Sequence, residues 1–415
     1  MIHSTHRREA LQAAVPVAVS FVLVVMLWVS PAPEGIKGLA NYLPLHTVLE
    51  MAAIFFAGMI FAITWHTPRS QVSWRNVLVG STFAGVALLD VSHVLSYSGM
   101  PSFVTPSSPS KAIYFWLAAR CMAAVGLLIH VRMQDNTPPT HRQSLMALTT
   151  VLAVVAVVHV LVLFDASSLP RVFIDGQGLT PWKIHAEYAL VLAYLVPILL
   201  LAPKLREPRT HHVSGFMAAA ALMAMSEFML TLYADVTDLY NLAGHILKIA
   251  AYFYLYQPLF VESLQLPYER LQEALGELKA TMQALPDLLF ELDEDGRFLA
   301  VHTGRSDLLA LPPDAFLGKT MREVLPSATA DVGLEAIAEA KEKGVSHGKL
   351  YTLNIQDASF FFELSVAPKP HAAHEKARYI FIARDVTQRV EGEKRLKKEA
   401  PVSYTHLTLP TICSV

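Results

Sequence analysis

The stretch from Val77 to Ser96, VLVGSTFAGVALLDVSHVLS, contains only two ionisable residues, Asp90 and His93. A helix needs roughly 20 apolar residues to cross the hydrocarbon core of a bilayer, so this run is long enough to span one. Asp90 and His93, three residues apart, fall on the same helix face. Seven further runs have the same character: Leu11 to Val29, Leu45 to Thr64, Ala112 to Val131, Leu145 to Phe164, Ile184 to Ala202, Val213 to Tyr233 and Leu242 to Val261. The first follows Arg7 and Arg8 but lacks a small-x-small cleavage pattern, and reads as an uncleaved anchor.

Composition divides the chain at the end of these runs. Of 415 residues, 53% are hydrophobic and 16% charged, against about 25% charged in soluble domains. Residues 1–262 carry 15 Lys+Arg and 13 Asp+Glu; the remainder carries 18 and 22, the ordinary soluble level. The sequence therefore predicts a multi-pass α-helical membrane domain of about eight helices over 1–262. A helical linker over 263–285 and a soluble α+β domain over 286–390 follow, then an output helix over 391–400. A net charge of −2 gives no reason to expect nucleic acid. Cys121 and Cys413 supply neither a disulfide framework nor a thiolate metal site.

Positive charges orient the membrane part. With the N-terminus inside, the inner segments carry Arg7, Arg8, Arg69, Arg75, Arg132, Arg142, Lys204, Arg206 and Arg209, and the outer loops only Lys37, Lys111, Arg171 and Lys183. An even number of crossings then puts the soluble part in the cytoplasm.

In that topology the ionisable residues of the apolar runs gather in one layer. His46 and Glu50, Asp90 and His93, Arg120, His159, Glu227, and His245 and Lys248 all fall in the outer half of the bilayer. Unpaired charges at such depth cost a few kcal/mol each, so they are expected to face one another. Three readings remain open at this point. The layer is a fixed ion-pair network, or a pocket sensing a small molecule, a proton or a metal, or a site for haem or a metal between His46, His93 and His245. No helix carries an H-E-x-x-H motif.

The soluble part begins with Leu271, Leu275, Leu278, Met282 and Leu285 at spacings of four and three. That pattern suits a coiled-coil seam between two copies of the chain, or an amphipathic helix packed on its own domain, and Pro286 ends it. Strand-like runs at Leu288 to Leu292 and Arg297 to Val301 flank a turn at Asp295-Gly296. A helix from Asp331 to Lys343 ends at Gly344, and strands at Val345 to Ile355, Phe360 to Ala367 and Tyr379 to Arg384 follow. The order predicts a five-stranded antiparallel sheet with helices on one face. Asp385 and Gln388 read as a capping box for the next helix. The acidic run Glu291, Asp293, Glu294, Asp295 reads as a solvated hairpin turn, and His302 and His347 as exposed. No phosphate loop, nucleophile elbow or cysteine is present between 263 and 400, so no catalytic domain is expected there and no flavin-cysteinyl photochemistry. Residues 401–415, with VSYTHLTLP at 402–410, look like adapter-derived sequence, and the natural chain is expected to continue past about residue 400.

Four separated motifs carry a resemblance: HTVLE at 46–50, LDVSH at 89–93 followed by YSGM at 97–100, Trp116 with Ala119-Arg120, and GHILK at 244–248 continuing to PYER at 267–270. With them, residues 41–270 resemble the third type of bacterial membrane-associated sensor domain. Residues 281–390 resemble a PAS domain in ALPDLLF at 284–290, FLGKT at 316–320 and RDVTQR at 384–389. The resemblance implies the input half of a receptor at a bacterial inner membrane, with Asp385 and Thr387 relaying to an effector. That effector is commonly a diguanylate cyclase, often with a phosphodiesterase, or a histidine kinase. A membrane transporter or channel with a regulatory PAS domain is the rival reading, since buried charges also mark permeation paths.

Overall fold

The computed structural model describes residues 6–30, 41–133, 137–174, 177–207, 213–233, 235–356, 358–370 and 376–399. The adapter-like tail lies outside them. The chain divides into two compact units, Met1–Arg270 and Leu271–Val415.

Each apolar run is a helix in the first unit: α1 Arg7–Val29, α2 Tyr42–His66, α3 Trp74–Leu95, α4 Pro109–Arg132 and α5 His141–Phe164. A two-residue hairpin follows, β1 Phe173–Ile174 and β2 Gly178–Leu179, then α6 Pro181–Leu201, α7 Val213–Met229 and α8 Leu239–Phe260. Among the described residues six helices, α1 to α6, are long and apolar enough to cross a membrane. Short polar side chains set the starts. Ser73, Ser108, Thr180 and Asp238 each accept a bond from the backbone N–H three residues on, and Thr140 with Gln143 forms a full capping box.

Helices α3 and α4 form the centre, with 67% and 61% of their apolar windows buried; α1 and α5, at 11% each, are peripheral and offer apolar side chains outward, as lipid-facing helices do. The approach of α2 to α3 depends on Gly80: a Cβ there would stand 2.7 Å from Thr64 Cβ, a clash no rotamer change of Thr64 relieves. The run expected to continue to Tyr233 ends as a helix at Met229. Beyond it, Lys183 Nζ donates to the Leu230 carbonyl oxygen at 2.7 Å, capping the end of α7.

A π-helical turn at Val261–Gln265 precedes α9, Leu266–Ala284. The second unit then holds β3 Leu288–Asp293, β4 Phe298–His302, α10 Pro313–Phe316, α11 Met321–Val324, α12 Ser327–Lys343, β5 Ser346–Ile355, β6 Ala358–Lys369, β7 Arg378–Asp385 and α13 Thr387–Glu399. The expected antiparallel sheet forms in the order β4-β3-β7-β6-β5. Phe290 pairs with Phe381 and Leu364 with Ala383, so the inward positions of neighbouring strands coincide. Their core is covered by α12, whose last turn closes on Gly344 at φ 83°, a conformation glycine adopts freely.

The acidic run departs from expectation. Asp293 does organise the turn, accepting from the N–H groups of Asp295 and Arg297. Glu291, however, lies inside β3 and is buried, bonded to Lys369 at 2.7 Å and Arg378 at 3.0 Å. The alternation of the strand turns it toward these two cations on β6 and β7. Burial alone raises the Glu291 carboxyl pKa, but the two cationic hydrogen bonds outweigh it and hold it below the ordinary glutamate value. Its contribution to stability is therefore complete above the unfolded value of about 4.3 and lost as pH falls through the lower folded value. Both cations are partly exposed, so the contribution is expected to stay under about 1 kcal/mol. In thermal melts of a 271–399 fragment, Glu291→Gln should lower Tm at pH 7 and leave it unchanged near pH 3; an equal loss at both would show that charge plays no part.

Candidate functional site

Among the described residues, two ion pairs that join different helices lie fully buried within the apolar bundle. Arg120 of α4 places Nη2 2.6 Å and 2.7 Å from the two oxygens of Asp90 on α3. Lys248 of α8 places Nζ 2.6 Å from both oxygens of Glu50 on α2. The spacing inside each helix produces this pairing. Asp90 and His93 face the same way, as do His46 with Glu50 and His245 with Lys248, so three helices present one polar stripe each toward a common centre. Trp116 stands between the pairs, its ring centre 4.6 Å from the Arg120 guanidinium and 4.4 Å from Lys248 Nζ, where a ring face stabilises a cation that has lost its water.

Three histidines complete the centre. His46 of α2 and His93 of α3 oppose their Nε2 atoms at 3.4 Å, and His245 Nδ1 of α8 lies 2.6 Å from Glu50 Oε1. His93 Nδ1 lies 2.8 Å from the Ala112 carbonyl oxygen. Tyr97 stacks on His46 with ring centres 4.0 Å apart. A cavity of about 30 Å³ borders His93, Trp116, Lys183, Glu187, Tyr233 and His245, room for about one water. A haem macrocycle needs several hundred Å³ and does not fit among these rings; a single ion does. His46, Glu50 and His245 each bring a ligand-type atom within 4.8 Å of the others.

Of the residues singled out in the sequence, His46, Glu50, Asp90, His93, Arg120, His245 and Lys248 are brought together. Glu227 is buried in the same unit but neither of its oxygens has a hydrogen-bond partner among the described residues. His159 stands aside, bonded to Ser92 at 2.7 Å. Lys183 and Lys111, counted among outer-loop cations, are instead buried helical residues. Lys183 lies 2.6 Å from Glu187 one turn along α6, and Lys111 donates to the Phe103 and Thr105 carbonyl oxygens. A lysine followed four residues later by a glutamate was the available signal for the first. Trp116 and Tyr97 fall within the motifs that carry the resemblance, but their residue type alone gave no signal, because aromatic side chains are at home in any apolar helix.

In the second unit Asp385 and Thr387 form a local device, different from the expected capping box. Asp385 Oδ1 accepts from Thr387 N at 2.9 Å and from its hydroxyl at 2.6 Å, while Thr387 Oγ1 accepts from Phe361 N at 3.0 Å. The start of α13 is thereby tied to β6. Arg384 pairs with Asp287 at 3.0 Å, joining the last strand to the entrance of the first. The interior cavity of this unit, about 70 Å³ between Phe290, Phe298, Phe316, Tyr351 and Phe362, is apolar and admits no drug-sized ligand unless side chains move.

The family model of the membrane-associated sensor domain MASE3 matches residues 38–267, and that of a PAS fold, PAS_4, matches residues 282–391. Solved structures similar to this chain include PAS domains. A domain of an HTR-like protein from Haloarcula marismortui is 22% identical, covering 25% of this chain and 100% of its own, with a TM-score of 0.21. A PAS domain from Colwellia psychrerythraea is 17% identical over 28% of this chain and 99% of its own, TM-score 0.25. The PAS domain of Bordetella pertussis BvgS is 20% identical over 30% and 96%, TM-score 0.23. No curated protein matches.

Proposed function

Because the chain belongs to the MASE3 family of membrane-associated sensor domains, we propose that the layer of His46, Glu50, Asp90, His93, Arg120, His245 and Lys248 is the input site of a bacterial inner-membrane receptor. The PAS domain lies on the cytoplasmic side in this reading and passes the signal to a following effector, of cyclic-di-GMP turnover rather than histidine-kinase type. The observation that carries it is the placement of two buried ion pairs, Glu50–Lys248 and Asp90–Arg120, on the helices whose His93 and His245 border a small cavity. Each pair joins two helices, so a ligand that favours one pairing geometry over another shifts helix positions.

Helix α8 leads toward α9, on which Leu271, Leu275 and Leu278 are all exposed. These leucines suit a seam with a second copy of the chain, through which movement of α8 reaches the PAS domain and its exit at Asp385 and Thr387. The test fuses residues 1–400 to a diguanylate cyclase reporter. His93→Gln and Asp90→Asn, checked for normal membrane levels, should change cyclase output at least threefold, and Leu275→Lys should abolish it. Output unchanged across all three variants would reduce the layer to structural support.

A further inference from the structure

His46, His93 and His245 come from three helices, yet their ring centres lie only 5.4 Å (His46 to His93), 4.7 Å (His46 to His245) and 6.3 Å (His93 to His245) apart. Rings bound through nitrogen to one tetrahedral ion at about 2.0–2.1 Å have centres roughly 5 Å apart, and their nitrogens stand about 3.4 Å from one another. The His46 and His93 Nε2 atoms are 3.4 Å apart, the edge of such a tetrahedron.

A carbonyl oxygen only accepts, so His93 Nδ1 carries the hydrogen it donates to Ala112 and Nε2 presents its lone pair. His245 Nδ1 lies 2.6 Å from Glu50 Oε1 without the alignment of a hydrogen bond, so no donated proton occupies the space between them. A histidine donating one N–H to a carbonyl or carboxylate and offering the other nitrogen is the arrangement that orients metal ligands. His46 Nδ1 is buried with no hydrogen-bond partner among the described residues, and His46 Nε2 donates to His93 Nε2, so an ion bound between the two nitrogens takes the place of that proton.

We propose that His46, Glu50 and His245 bind one divalent first-row transition-metal ion of the zinc class, with His93, whose Nε2 lies 3.4 Å from that of His46, as the fourth ligand. The proposal names the ligand of the input site and rests on that reading for its signalling role; the binding itself does not. Helix α2 contributes two ligands and α3 and α8 one each, so the ion fixes the mutual distance of the three helices.

The test uses the full chain in lipid nanodiscs, stripped with a chelator and titrated with cobalt(II) chloride. One equivalent should bind with the visible bands of tetrahedral cobalt(II), bleached by zinc(II). His93→Gln and His245→Gln should weaken binding at least 100-fold. Absence of the bands, or bands unchanged in both variants, overturns the site. The zinc-loaded wild-type chain supplies a readout free of any folding defect: X-ray absorption should count three imidazoles, and two or fewer overturns the proposal. A chain that binds no metal while the cyclase fusion still responds to the Asp90 and His93 substitutions refutes the metal alone. Binding with no effect on cyclase output refutes the input reading and leaves the metal site standing.

Discussion

Asp90→Ala is expected to destabilise the helical unit by about 3–5 kcal/mol, the cost of leaving a buried charge without its partner. Both side chains of the Asp90–Arg120 pair are inaccessible. Arg120 Nε and Nη1 already lack partners, so Nη2 makes the only side-chain hydrogen bonds of the guanidinium among the described residues. Once the carboxylate is removed, the cation retains only the faces of Trp116 and Tyr252, at 4.6 Å and 5.4 Å, worth about 2 kcal/mol in a desolvated setting. Arg120→Met should cost a similar amount by stranding Asp90. The double variant removes both charges together and should lose far less than the sum of the singles, because it strands neither. Unfolding by dodecyl sulfate in mixed micelles measures all three. Single-variant losses that add to within about 0.5 kcal/mol would mean that the two groups do not interact.

The reason this pair was legible as two separate charges, but not as a pair, is physical. Asp90 and Arg120 stand out because each interrupts a run of some twenty apolar residues, and the cost of burying a charge forces a partner on it. Which partner depends on helix neighbours, and composition does not encode them. The periodicity of single helices carried further. The three- and four-residue spacings of His46 with Glu50 and His245 with Lys248 placed each couple on one face, and both faces turn out to meet. Lys183 was misplaced because it sits three residues after the N-cap Thr180, where a loop and the first turn of a helix read alike. In the PAS domain the five strands were recognisable from alternation and turn residues, with ends moved by one or two positions. The burial of Glu291 was not, since its two cations come from β6 and β7, 78 and 87 residues away in the chain. Local pattern thus located elements and odd residues, while long-range pairing decided what each odd residue does.

That distinction separates two buried glutamates that look alike in sequence. Glu50→Gln is expected to cost about 3–5 kcal/mol, whereas Glu227→Gln should be neutral or slightly stabilising. Glu50 Oε1 lies 2.6 Å from both Lys248 Nζ and His245 Nδ1. Glutamine offers one acceptor oxygen and an NH2 that donates, so it keeps at most one of these partners and turns a donor toward the other. Lys248 would then remain as a buried cation facing only the Trp116 ring at 4.4 Å. Glu227 has no hydrogen bond to lose among the described residues, and an amide of the same shape has a smaller desolvation cost than a carboxylate. Lys248→Met in the Glu50→Gln background should recover part of the loss by removing the stranded charge, while the same change in the Glu227→Gln background should still be costly. The same dodecyl sulfate titration reads the four variants. Equal losses for Glu50→Gln and Glu227→Gln would show that burial alone, rather than the Glu50–Lys248–His245 arrangement, sets the energetics of the layer.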